Sequence, residues 1–103
     1  MIRHIVSLRF KAATSAVTKA ALYAELAGLS DRIDGIVDFQ SRENISSEDA
    51  LVRGFRDLFW FDFRDISVRD TYLADTVHQA IGARLVAALD GGPDGVFVVD
   101  FEV

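Results

Sequence analysis

Apolar positions recur along the chain at intervals that switch between two and about three and a half residues, and each switch marks an element. Residues 2 to 10 alternate, with Ile2, His4, Val6, Leu8 and Phe10 on one face of a predicted strand and Arg3, Ile5, Ser7 and Arg9 on the other. Thr14 or Ser15 then offers an N-cap for a helix whose Leu22, Leu26, Leu29 and Ile33 form one stripe, with Gly35 as its stop. A second, more polar strand follows at residues 36–42, and Asn44 to Ala50 reads as a polar loop with one helical turn, Ser46 and Asp49 standing at capping-box spacing. The most aromatic stretch is Asp57-Leu58-Phe59-Trp60-Phe61-Asp62-Phe63, a strand with large apolar groups on both faces. Ser67 is expected to cap a short helix to Ala74, Asp75-Thr76 to break it, and a second helix to carry Val77, Ile81, Leu85 and Leu89 on one stripe with His78 beside it. Gly91 to Gly95 is the strongest turn signal, and residues 96–103 form a last strand.

The order is β-α-β-β-α-β, an α+β chain of the ferredoxin-like type: a four-stranded antiparallel sheet with two helices on one face. The first and third strands are expected at the centre as a parallel pair. Helices on one side leave the other side of the sheet bare, and the apolar groups there need cover. A second copy of the chain is the expected cover, burying Ile5, Leu58, Trp60, Val96 and Val98 in a homodimer interface.

Composition narrows the chemistry. With 103 residues there is room for one domain, and with no cysteine there is no disulfide, thiolate nucleophile or Cys-ligated metal. A net charge of −5 with scattered basic residues argues against nucleic acid as a partner, and no apolar run is long enough to span a bilayer. A cytoplasmic location is the default expectation. No helical His-x-x-x-His pair or Gly-rich phosphate loop is present, so neither a metal nor another cofactor is expected.

The polar groups that could do chemistry sit among apolar ones. His4 and Asp57 are expected near the starts of adjacent strands, both facing the helices, where Tyr72 and His78 would join them in a pocket lined by Val6, Phe59, Phe61 and Ile81. Asp57 would orient one imidazole, leaving the other imidazole or the Tyr72 hydroxyl to move a proton next to a carbonyl. In the alternative, His4 and Asp57 satisfy each other in the core and the protein is a non-catalytic structural or stress-protective dimer. Asp65, Asp70 and Asp75, five residues apart, read as a solvated surface pattern.

Taken in order, Ile2-Arg3-His4-Ile5-Val6, the Asn44…Ser47-Glu48 loop, Gly54-Phe55, the Tyr72…His78 segment and Val98-Val99-Asp100-Phe101 resemble the stress-responsive dimeric α/β-barrel family, often called Dabb. The resemblance covers nearly the whole chain and implies a ferredoxin-like protomer, a dimeric barrel and a pocket between sheet and helices in each protomer. One branch of that family, the plant polyketide cyclases, performs an aldol condensation with a Tyr and a His, roles that fall on Tyr72 and His78. The branch's His-Pro pair is replaced here by Asp75-Thr76, and a pocket histidine by Asp57. The resemblance thus implies a small apolar or aromatic ligand and cofactor-free lyase- or cyclase-type chemistry. A cofactor-free monooxygenase is a further alternative on the same barrel.

Overall fold

A computed structural model describes all 103 residues. Four strands, β1 (Ile2–Leu8), β2 (Ile36–Glu43), β3 (Asp57–Phe63) and β4 (Val96–Glu102), form one sheet in the order β2-β3-β1-β4. The helices are α1 (Ala16–Ala27), a single turn α2 (Asp49–Val52), α3 (Ile66–Ala74) and α4 (Thr76–Ala87). No helix is long and apolar enough to cross a membrane.

Every strand pair is antiparallel, including the central β1–β3 pair, which corrects the expected parallel arrangement. Connectivity requires this: α1 returns the chain so that β2 runs as β1 does, and the connection through α2 then reverses β3. His4 therefore stands opposite Phe61, and Asp57 stands opposite Leu8.

Alternation sorts β1 cleanly. Ile2, His4, Val6 and Leu8 are buried under the helices, whereas Arg3, Ile5 and Ser7 face the other side. On β3 the helix side takes Phe59, Phe61 and Phe63, which pack with Leu22, Leu26, Leu29, Ile81, Leu85 and Tyr72 into one core. Leu58 and Trp60 lie on the uncovered side with Ile5, as expected.

Val96 and Val98 do not. They stand opposite Leu8 and Val6 and so share the helix-facing side, while Phe97, Val99 and Phe101 stand opposite Ser7, Ile5 and Arg3 on the bare face. The register is pinned at the strand's start, where the Arg9 N–H donates to the Gly95 carbonyl at 2.8 Å. A shift of one residue would exchange the two sets.

Three local expectations change. The Leu22 to Ile33 stripe is buried as predicted, but the α-helix ends at Ala27 and tightens into a 3₁₀ turn over Gly28–Asp31. Ser15 caps α1, its hydroxyl accepting from the Thr18 N–H, whereas α3 is capped by Asp65 rather than Ser67. The Ser46–Asp49 capping box does not form. Asp49 pairs with Arg56 instead, and that guanidinium also donates to the carbonyls of Asn44 and Ser46.

Candidate active site

α3 and α4 meet at one extended residue, Asp75 (φ −70°, ψ 128°), which closes α3 and caps α4. The break falls where expected, and it sets the site: Tyr72 lies on the last turn of α3 and His78 on the first turn of α4. Their rings stack across the junction, with centroids 3.8 Å apart and planes inclined at 32°. Tyr72 is sealed in the core against Phe61 and Phe63, and its fourth aromatic neighbour is the His4 ring, edge-on at 5.5 Å.

His4 comes from the middle of the sheet, and its partner is Asp100, not Asp57. The His4 Nδ1 lies 2.6 Å from Asp100 Oδ1, and since the carboxylate only accepts, Nδ1 carries the proton. The other oxygen of Asp100 accepts from Arg69 Nη1 at 3.1 Å. Strand β4 thus supplies the group that fixes His4, and α3 supplies the cation that holds that group. The signal for Asp100 was a carboxylate in an apolar strand, opposite His4 once β4 is paired antiparallel to β1. Nothing in the local sequence pointed to Arg69.

Asp57 lies at the far end of the same face, four residues along β3 from the partner of His4, or about 13 Å at the rise of a strand. There it pairs with Lys19 at 2.9 Å and borders a cleft of about 630 Å³ between α1 and the ends of β2 and β3. Tyr23 also lines this cleft, and its buried hydroxyl has no partner. Burial first, and the Asp57 charge second, push that phenol's pKa up.

The expected convergence of four groups is therefore one of three: His4, Tyr72 and His78, completed by Asp100. The expected lining is core. Val6, Phe59, Phe61 and Ile81 are each at most 4% exposed, and none of the four main clefts reaches His4, Tyr72 or His78. The carboxylates read as a surface pattern also prove structural in part, because Asp65 and Asp75 each cap a helix.

Electrostatics keeps the stacked pair neutral. Burial and the neighbouring His4 hold the His78 imidazole below its ordinary pKa of 6.5, the Tyr72 carbonyl and the Asp75 charge opposing without prevailing. Burial, then the Asp100 charge, pushes the Tyr72 phenol up. The His78 Nδ1 is shut off from solvent and makes no well-formed hydrogen bond, the Tyr72 carbonyl being the backbone group that acts on the ring. A neutral imidazole and a neutral phenol in contact are a proton acceptor beside a proton donor.

A stability consequence follows from the lowered His78 value. Between its folded pKa and 6.5 the unfolded chain binds more protons than the folded one, so stability rises with pH across that window and levels off above it. Thermal unfolding measured from pH 7.5 downward should show the midpoint falling below about pH 6.5, and His78→Gln should flatten that slope. An unchanged slope in the variant would show that His78 is not the group responsible.

A family model described as the stress responsive A/B barrel domain matches residues 2–103. Among solved structures, a dimeric ferredoxin-like protein of unknown function from Jannaschia sp. CCS1 is 29% identical, with a TM-score of 0.84 over 99% of this chain and 98% of that one. The Arabidopsis thaliana protein At3g17210 is 22% identical, with a TM-score of 0.88 over 100% and 95% of the two chains. A hydroxynitrile lyase from Passiflora edulis shares the fold at 14% identity, with a TM-score of 0.81 over 99% and 92%. No curated protein sequence matches at a significant level.

Proposed function

The chain belongs to the stress responsive A/B barrel domain family, and from that premise we propose that it works as a homodimer in which Tyr72 and His78 handle a small aromatic or acyl carbonyl compound by cofactor-free acid–base chemistry. The observation that carries this reading is the half-buried His78 imidazole lying against the Tyr72 ring, with His4 beside the same phenol. A titratable ring held below its ordinary pKa against a phenol and a second imidazole is the kind of cluster that acid–base sites use.

In the reaction this arrangement supports, the neutral His78 takes a proton from the carbon next to the carbonyl. The C–H electron pair moves to form an enolate, whose oxygen receives a hydrogen bond from the Tyr72 hydroxyl. His4, fixed by Asp100, is a second imidazole at the same ring. Return of the proton, or bond formation at the carbanion, completes lyase- or cyclase-type chemistry. The ligand approaches at the α3–α4 junction, where His78 is only half-buried.

Support for the homodimer comes from the bare face. Ile5, Leu58, Trp60, Phe97, Val99 and Phe101 lie together there, with Phe97, Val99 and Phe101 each more than 40% exposed, and the Jannaschia relative is described as dimeric. A patch of this kind on a small chain calls for a partner, and a two-fold pairing of identical sheets is the simplest one.

A second reading is favoured by the closed interior: a dimer without catalysis, in which the polar cluster only packs. An NMR pH titration of the two imidazoles, with and without a panel of small aromatic ketones and acids, separates the two. Under the first reading His78 titrates below 6.5 and its midpoint moves on addition of at least one ligand. If neither imidazole responds to any compound, the second reading stands.

A further inference from the structure

We propose that Asp75 is the positioning residue for His78, and that Arg32 anchors it by tying the α3–α4 junction to the end of α1. The proposal deepens the acid–base reading of the Tyr72–His78 pair and rests on it for its functional meaning. Its geometry stands independently.

An ordinary N-cap needs one acceptor oxygen and is often solvated. Here both carboxylate oxygens are committed. Oδ1 accepts the backbone N–H of His78 itself at 2.9 Å, and Oδ2 accepts from Arg32 Nε at 2.8 Å. The Asp75 side chain is only 10% exposed. Arg32 belongs to the turn that follows α1, where its own N–H donates to the Leu29 carbonyl. The carboxylate therefore fixes the first turn of α4 against a third element, not merely against α3.

The stack depends on that fixation because it spans the break. Tyr72 is held by the core on one side, whereas His78 is carried over it by the setting of α4. Successive residues on a helix are about 100° apart, so a modest turn of α4 about its axis would carry the imidazole off the phenol. Gln79 adds a second tie, its side-chain amide donating to the Leu73 carbonyl across the same junction at 3.1 Å. Asp75 is held as a carboxylate by the His78 N–H above all, then by Arg32, so the brace persists at any pH near neutral.

The test reads the His78 ring protons in the free protein. Lying over a phenol, they carry an upfield ring-current shift. Asp75→Ala is expected to lose most of that shift, and Asp75→Asn, which keeps an acceptor for the cap, to restore it while lowering the His78 titration midpoint because the neighbouring negative charge is gone. The His4 ring, packed on the same tyrosine, is the internal control: general loosening moves both histidines, whereas loss of positioning moves His78 alone. Should Asp75→Ala fail to fold, Arg32→Gln decides, with a smaller His78 shift expected and an unchanged His4. A His78 shift that survives both substitutions, or that moves only together with His4, overturns the proposal. No ligand enters this experiment, so a failed ligand panel would sink the acid–base reading without touching the brace.

Discussion

Val99→Asp is expected to turn the proposed dimer into monomers, and Val98→Asp is not. Val99 stands opposite Ile5 on the bare face, and Val98 stands opposite Val6 on the helix side. In a two-fold interface each substitution counts twice, because both copies carry it. Burying an unpaired carboxylate among apolar groups costs on the order of 3 kcal/mol per ion in real proteins. Two of them oppose association by about 6 kcal/mol, and since each 1.4 kcal/mol is a factor of ten, the dissociation constant should rise by roughly four orders of magnitude. Sedimentation over a concentration series would read this directly. Trp60 gives a second signal, because it lies on the same face and its emission should shift to the red when the partner leaves. Val98→Asp adds its charge to a side chain already 49% exposed and away from that face, so it should leave the dimer intact. Dissociation by Val98→Asp with Val99→Asp still dimeric would mean that a surface other than the bare sheet makes the contact.

That pair of neighbouring valines also shows where a sequence stops being legible. Strand positions were readable because apolar runs and turn residues bound them, and the faces of β1 and β3 were readable because polar groups break the alternation. On β4 they do not: Val96 to Val99 are apolar on both faces, so period two cannot say which set points inward. Register decides it, and register comes from the Gly92–Gly95 turn and its bond to Arg9, a long-range contact. The displacement of Asp57 has a related origin. Its face could be read from alternation, but its distance from His4 depended on strand direction, which follows from the whole connection through α1, β2 and α2. Once β3 runs against β1, Asp57 moves to the end of the sheet where Lys19 waits, and Asp100 takes its place beside His4. Tyr72 and His78 came together as expected because only the five residues between them and one break were involved. Arg69 and Arg32 were invisible for the opposite reason: each matters through a partner in another element, and an arginine carries no mark in the sequence of which carboxylate it will meet.

His78→Ala should abolish the proton chemistry, and Tyr72→Phe should impair it without disturbing the stack. The assay needs no known product. A carbonyl compound that binds beside His78 will exchange the hydrogens next to its carbonyl for deuterium in heavy water faster than buffer alone exchanges them, and NMR follows the loss of signal. A positioned acid or base contributes about 10²- to 10⁴-fold, so removing the imidazole should lower the rate by that order. Tyr72→Phe keeps the ring that His78 stacks on and removes only the hydroxyl that would bond the enolate oxygen. Loss of one such donor costs roughly 10²- to 10³-fold at well-organised sites, and it should appear in turnover more than in binding, because the oxygen gains its charge only as the proton leaves. Asp100→Asn supplies the contrast. It leaves His78 and Tyr72 in place but withdraws the carboxylate that fixes the His4 tautomer, so its effect should be smaller than that of His78→Ala if His4 only supports the pair. An exchange rate that His78→Ala leaves unchanged, for a compound whose binding moves the His78 signal, would leave a binding pocket without acid–base catalysis. An Asp100→Asn loss equal to that of His78→Ala would instead move the base to His4, with His78 as the group that orients the ligand.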